Sequence, residues 1–551
     1  IFKETRYDLV QIQQFITDAA VTGNTEEGLA EAATFRDTAL QNINTLMRSL
    51  PDLSDELLPM QWHLINRGNL FGDKSIVDAD VQCEEAWKSS TGDQSIIVAV
   101  LDEGVMVEHP DLKNSMWVNE GEVYRSKQDN DGNGYKGDVY GYNFVFDTGV
   151  ISWDDVSDTG HGTHVAGVIA AQNNNGIGIS SIAGGNADIP GVKIMSCQIF
   201  SGNTVSNSLA TVRAIKYAAD NGAVILQCSW GYISGSANSY EWGTPGFKDE
   251  EEWATNAPLE KDALDYFLHN AGSPNGPIEG GLAIFAGGNE SAPQAGFPGA
   301  AEECISVSAT AADYTPAVYT NYGPGCNISA PGGDAYIASN STATVLSTMP
   351  SEMNEGSDYG YMQGTSMACP HMSGVAALGL SYALKQGKHY TRNEFISMLL
   401  TSVNDMERYL DGTKESNGTM YLENYRKQLG TGAVDAYQLL MQIEGTPCLP
   451  AKVGVQQVLS LDKFFGQASA NLTYKSAEMS QADMDKLGIT AAPAFSYGKL
   501  QIKCTKPGVA KIKIKAMAGS SSANGEMSGM EITKEFAIIA RAVQAGNGGW
   551  L

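Results

Sequence analysis

Cysteine and histidine are both scarce, at 8 and 7 of 551 residues. Thiols this sparse exclude a disulfide-built scaffold, and Cys197 in KIMSCQIF and Cys228 in AVILQCSW sit inside apolar runs that read as buried free thiols. Cys448 and Cys504, which flank one C-terminal segment, form a candidate pair. Positive charge is short as well: 35 Lys and Arg face 63 Asp and Glu, a net charge of −28 that argues against a nucleic-acid partner. No apolar run reaches the ~18 residues of a transmembrane span; the best, Gly374–Leu384, is broken by Ser381 and Tyr382. The sequence opens at Ile1 with neither an initiator Met nor a basic-then-apolar leader, so any export signal lies outside it. What is present, 42% hydrophobic residues with 60 Gly and 23 Tyr, suits a folded, loop-rich globular protein.

Three regions follow from the patterning. Residues 1–59 read as helices, with Leu40, Ile43, Leu46 and Met47 on one face. Residues 60–445 alternate short apolar strands (95–101, 192–200, 223–228, 282–286, 305–309) with helical windows (161–172, 208–219, 367–384, 392–401), the last opened by a capping box of Thr391 and Glu394. Continuous apolar strands separated by helices predict an α/β domain of three layers around a mostly parallel sheet. Residues 446–551 alternate in period two, as in KLQIKC, VAKIKIKA and KEFAIIARA around a GSSSANGEMSG linker, and predict a small antiparallel β-sandwich.

The middle region carries a constellation suited to nucleophilic catalysis. Asp102 ends the strand SIIVAVL, where a parallel sheet exposes side chains to its ligand crevice. His161 stands in DTGHGTHVAG, between two glycines and at a helix start. Ser366 stands in GTSMACPHMSG at the mouth of an apolar helix. A serine hydroxyl needs an imidazole to remove its proton, and the imidazole needs a carboxylate to hold its tautomer. Each residue alone could be a cap or turn residue; the three together make that reading poor.

These segments resemble the three signatures of the subtilisin-like serine proteases, over about residues 60–444. The order Asp, His, Ser is that of subtilisin, whereas α/β-hydrolases run Ser, Asp, His, and Ala368 breaks the G-x-S-x-G elbow. The resemblance implies an Asp102–His161–Ser366 triad, with Asn289 of AIFAGGNE as oxyanion donor beside the Ser366 backbone N–H. It leaves His164 structural despite the HGTH spacing, which lacks the Glu of an H-E-x-x-H zinc site, and packs His371 inside its helix. One departure is Glu103, where the family has a small hydroxylated residue: if desolvated, its charge raises the His161 pKa, and if turned to solvent it does not.

The same resemblance lines the substrate cleft with Ser229, Trp230 and Gly231 on one side and Ala286, Gly287 and Gly288 on the other, with Gly296 as a pocket floor that leaves room for a large apolar or aromatic side chain. Glu290 stands at the rim, and Trp230 is bulkier than the family's usual aliphatic residue. Residues 232–280 exceed the family core and read either as a surface decoration or as a flap over the cleft. The loop DNDGNGYKGD offers Asp129, Asp131, Asn133, Tyr135 and Asp138 as a structural Ca²⁺ site, although Tyr140 stands where an EF-hand has Glu. Asp111 with QNNNGIGIS resembles the family's other calcium site.

The expectation is an exported serine endopeptidase (extracellular, periplasmic or cell-surface) acting on protein or peptide substrates, with the alternative of a surface-binding or adhesion protein whose protease domain is vestigial. The C-terminal region resembles bacterial immunoglobulin-like modules, which implies cell-surface or envelope docking. Residues 1–59 read either as a cleaved prodomain or, preferred here, as a retained helical arm.

Overall fold

The computed structural model describes residues 55–541, apart from 203, 205–207, 274, 338–340, 417, 462–463, 465–471 and 522–526. The helical arm with Leu40, Ile43, Leu46 and Met47 therefore lies outside the described residues, as does the closing tail. From Asp55 the chain already packs on the peptidase core: Leu58 is buried there, and the Asp55 carboxylate accepts from the Asn174 and Gly176 amides and the Ser180 hydroxyl.

A nine-stranded sheet organises the large domain. Its strands are β1 (Ile97–Asp102), β2 (Gly141–Asn143), β3 (Lys193–Gln198), β4 (Ile225–Cys228), β5 (Leu282–Ala286), β6 (Ile305–Thr310), β7 (Ile328–Pro331), β8 (Val403–Asn404) and β9 (Ala433–Val434). They lie in the order β8-β9-β7-β6-β5-β4-β1-β3-β2. Every neighbour pair is parallel except β8 with β9.

The strands are apolar at successive positions because both faces are covered. In β1, Val98 and Val100 join one core with Val165 and Ile169 of α1 (His161–Ala170), Val375 and Leu378 of α4 (Thr365–Lys385) and Leu439 of α6 (Ala436–Glu444). Ala99 and Leu101, one residue out of phase, join the other core with Ile215 of α2 (Ser208–Asp220) and Leu264 and Phe267 of α3 (Pro258–Asn270). Three layers result, each buried aliphatic side chain contributing about 1.5–3 kcal/mol before entropy is charged. The Thr391–Glu394 capping box opens α5 (Arg392–Thr401) as expected.

Residues 232–280 divide differently from either expectation. The part from Glu250 to Asn270 is a face-covering helix pair: Trp253 stacks on Phe297, and the buried Glu260 accepts from Trp253 Nε1 and the Tyr232 hydroxyl. Only the preceding turn stands out, exposing Tyr240 and Trp242.

In the C-terminal region, a four-stranded sheet and a three-stranded sheet enclose a shared core that includes Leu461, Leu500, Ile512 and Phe536. The pairings are antiparallel except Cys448–Lys452 with 537–541, which is parallel. The GSSSANGEMSG segment is no linker over its described ends, because strands Gly508–Ser521 and Met527–Arg541 run through it and pair as far as Ser521 with Met527. The unbroken apolar stretch FAIIA is explained by burial on both sides: Phe536, Ile538 and Ala540 face the module's own core, while Ala537 and Ile539, with Val509, join the peptidase core. Arg541 ends the last strand, buried, and reaches Asp435 at 3.1 Å. Cys448 and Cys504 are both free thiols, which removes the candidate disulfide.

Candidate active site

Parallel strands deliver their carboxyl ends to one edge of the sheet, so β1, β4 and β5 present Asp102, Ser229 and the segment after Ala286 side by side. Asp102 is 1% exposed. Its Oδ1 accepts from His161 Nδ1 at 2.8 Å and from the Glu103 amide at 2.7 Å, while Oδ2 has no partner among the described residues. A carboxylate cannot donate, so the proton of neutral His161 lies on Nδ1 and Nε2 keeps its lone pair, the tautomer a general base requires. Two glycines let the histidine come this close. Gly160 enters α1 at φ 78°, and a Cβ on Gly162 would lie 2.2 Å from the Glu103 carbonyl oxygen.

Glu103 is half-buried, with its carboxylate turned onto the entry of α1. Its carboxylate accepts from the Thr159 amide and hydroxyl at 3.1–3.2 Å and from the His161 amide at 2.9 Å. Burial disfavours the His161 cation, but Asp102 and then Glu103 outweigh it and hold the imidazole above its ordinary pKa. The carboxyl of Glu103 is itself raised, first by burial and then by Asp102.

Ser366 is the second residue of α4. Pro370, four residues on, has no N–H, which deprives the Ser366 carbonyl of its helical donor. The Ser229 hydroxyl takes that place at 2.6 Å, and the Ser366 hydroxyl donates back to the Ser229 carbonyl at 3.2 Å. These two bonds pin the serine to the end of β4, the neighbour of β1. In this state the Ser366 hydroxyl proton is given to the Ser229 carbonyl rather than to His161.

Asn289 is oriented by Thr365, whose amide and hydroxyl both lie 2.9 Å from Asn289 Oδ1. Because a backbone N–H can only donate, the carbonyl end of the Asn289 amide is fixed there and Nδ2 remains to donate elsewhere. A point at the Cβ position of Gly364 lies 3.5 Å from Ser366 N and 3.7 Å from Asn289 Nδ2, so the two expected oxyanion donors border the same space.

The cleft residues are brought to this edge, with two corrections. A Cβ on Gly296 would meet the Tyr232 carbonyl at 2.3 Å, so backbone, not open pocket, fills the room its missing side chain leaves. Trp230 turns its indole onto Phe285 and Phe200, with centroids 5.3 and 6.4 Å away, and so extends the aromatic core. Glu290 hydrogen-bonds the Asn321 side chain. Asn321, which sequence reading passed over, is fully buried and spends its amide on the oxyanion segment, donating to Gly287 O and accepting from Glu290 N and Ala292 N. Its only signal in sequence is a polar residue in a loop, which carries no address.

Residues 93–433 match the subtilase family. The chain belongs to that family. Halolysin of Haloferax mediterranei is 30% identical over 303 residues, 55% of this chain and 44% of that protein. The extracellular basic protease of Dichelobacter nodosus is 26% identical over 406 residues, 70% of this chain and 55% of that protein. The chain thus spans about half the length of the curated relatives it matches. A solved protease from Pseudoalteromonas arctica is similar over 71% of this chain and all of its own, at 25% identity and a TM-score of 0.47. Subtilases are serine proteases.

Three further histidines, His63, His164 and His371, are buried and hydrogen-bonded within the fold. His164 gives Nε2 to the Val345 and Gly360 carbonyls, and burial pushes its pKa down to about 3. His371 donates from Nδ1 to the Met367 carbonyl, so its Nε2 accepts from His63 Nδ1 at 2.7 Å; burial lowers His371 to about 4 and holds His63 well below its ordinary value. Among the described residues no cluster of metal-ligating groups includes any of the three.

The acidic loop is rearranged relative to expectation. Asp129 and Asp131 converge with Glu122, which sequence reading missed because it lies outside the loop, and their oxygens fall within 4.8 Å of one another. Asp138 instead accepts from the Tyr217 hydroxyl at 2.7 Å, Asn133 bridges Asp131 and Asp138, and the Tyr135 ring packs among Tyr142, Phe144 and Tyr217. The side chains of Tyr135 and Asp138 are therefore spent on packing. Asp111, buried, accepts from Asn175, the Ile179 amide and the Tyr359 hydroxyl, and burial raises its pKa to about 6. Among the described residues no helix is long and apolar enough to cross a membrane.

Proposed function

We propose that the chain is an exported serine endopeptidase that cleaves through an acyl-enzyme. Ser366 attacks, His161 takes its proton and returns it to the leaving amine, Asp102 orients and stabilises the imidazole, and Asn289 with the Ser366 amide receives the oxyanion. The observation that carries the reading is the 2.8 Å Asp102–His161 bond beside a serine whose amide borders the same space as Asn289 Nδ2. Fluorophosphonate labelling tests it: an adduct on Ser366, absent after His161→Ala, is expected, and no adduct on folded protein would favour a binding protein with a vestigial site.

Cleavage after large apolar or aromatic residues is part of the proposal. Its support is that Glu290, the acid nearest the cleft segment after Ala286, is committed to the Asn321 side chain and so does not call for a basic residue. A peptide-library profile dominated by Asp, Glu or Gly before the cut would reject it. For the metal, Glu122, Asp129 and Asp131 are hard oxygen donors of the kind Ca²⁺ takes, and we propose that they hold it as a structural ion. Calorimetry should show a lower transition on chelation; an unchanged transition would end that idea. Docking by the C-terminal module would use the three-stranded sheet side, which exposes Val455, Val458 and Tyr497, since the other sheet is spent on the peptidase domain.

A further inference from the structure

We propose that Glu103 is a positioning residue of this protease: its carboxylate ties the end of β1 to the start of α1 and thereby sets where the His161 ring stands against Asp102. This rests on the triad reading above. The geometry is specific. One carboxylate gathers the Thr159 amide, the Thr159 hydroxyl and the His161 amide, which are donors from the turn that enters α1, and the second of those amides belongs to the base itself. The His161 amide is one of the first N–H groups of the helix, which lack intrahelical acceptors, and an anion is favoured at that end. The Gly160 N-cap has no side chain with which to satisfy them, so the acceptor has to come from outside the helix. Gly162, pressed against the Glu103 carbonyl, holds the same two segments together by backbone contact.

The charge has a second effect on the same ring. Facing the imidazole are Asp102 from β1, Glu103 just after it, and the buried, neutral His164 from its own helix. Asp155 and Asp158, in the segment leading to Thr159, spend their oxygens on Ser152, Ser201 and the Asp155 and Gly202 amides. Glu103 is thus the anion next after Asp102 to stabilise the His161 cation, in the same direction as Asp102. Since the base works unprotonated, activity is lost as pH falls through the raised pKa, and removing the charge moves that limb to lower pH.

Two substitutions separate the parts. Glu103→Gln keeps an acceptor and loses the charge. The acid limb of kcat/KM should shift down by about half a pH unit or more, with plateau kcat within about threefold of the parent. Glu103→Ala loses both, and plateau kcat should fall about tenfold or more at similar KM, because a displaced base is costly out of proportion to the distance moved. If Glu103→Ala fails to fold, Glu103→Asp serves, its shorter reach lowering plateau kcat while the limb stays near the parent's. A Glu103→Ala or Glu103→Asp plateau within twofold of the parent overturns the positioning role, and an unshifted Glu103→Gln limb overturns the charge effect. NMR titration of the His161 ring in Ser366→Ala protein, with and without Glu103→Gln, reads the coupling without any turnover, so a failure of the protease reading would show as no fluorophosphonate adduct on the parent while this shift persisted.

Discussion

Replacing Arg541 with Ala tests how the C-terminal module is held to the peptidase domain. Arg541 is the last residue of the last described strand and its side chain is 9% exposed. One Nη lies 3.1 Å from Asp435, which is fully buried, the other 3.8 Å from Asp78, and Nε donates to Asn404 at 3.3 Å. Burial raises the Asp78 pKa, and Arg541 is the first group opposing it. Removing the guanidinium takes away the cation beside Asp435, which keeps only the neutral donors of Asn404 and Gln438, and breaking a buried pair in this way costs about 3–5 kcal/mol. The looser contact to Asp78 places the expectation at the lower end, about 3 kcal/mol. For a folded unit this large the same loss lowers Tm by only about 3 °C, so urea unfolding is the better assay. It should be run on Ser366→Ala protein to suppress self-cleavage. Adding Asp435→Asn should restore about half of the loss, since Asn still caps α6 but buries no orphaned charge. A midpoint for Arg541→Ala within about 1 kcal/mol of the parent would refute the argument.

Asn289→Ala should lower kcat about 100- to 1000-fold with little change in KM, a magnitude taken from subtilisin itself rather than worked out from this chain; a loss confined to KM would remove Asn289 from the oxyanion site. Ser229→Ala removes the donor that replaces the helical bond missing at Pro370 and should cost about 1–2 kcal/mol in unfolding measurements. Gly162→Ala forces a Cβ against the Glu103 carbonyl and should cost about 2 kcal/mol or more together with most activity. His164 and His371, lowered by burial to about 3 and about 4, contribute stability that is full above about pH 6.5 and is lost as pH falls toward those values, because the unfolded chain takes up their protons first, and His63, also lowered by burial, acts in the same direction. Ring NMR should show these three silent between pH 8 and 5 while His161 titrates above 6.5.

The sheet, its helices and the Asp102, His161, Ser366 and Asn289 positions were legible because each has a local signature: a run of β-branched residues ending in a carboxylate, or a glycine-flanked polar residue at a helix mouth. Asn321 and Glu122 were not legible, since their roles depend on segments that only tertiary packing brings near. The fate of Glu103 was open for the same reason, because whether its carboxylate met Thr159 or water depended on how closely α1 approached β1. Gly296 misled in the opposite direction: a missing side chain signals space in a sequence, but here it signals a neighbouring carbonyl. The short strands β2, β8 and β9 are too brief to carry a period.

That the guanidinium beside Asp435 arrives on the last described strand has a consequence for synthesis. A chain emerges from its N-terminus at about 5–20 residues per second, so the peptidase domain is complete in sequence well before its buried acids and the hydrophobic edge beside Val434 are covered. A copy released short of Arg541 would leave Asp435 without its cation and, if it stops before Ala537, lack Ala537 and Ile539, which belong to the peptidase core. Such a copy would hold the strands and helices that carry the triad positions while leaving this edge of the core uncovered, so the order of synthesis makes closure of that edge a late event.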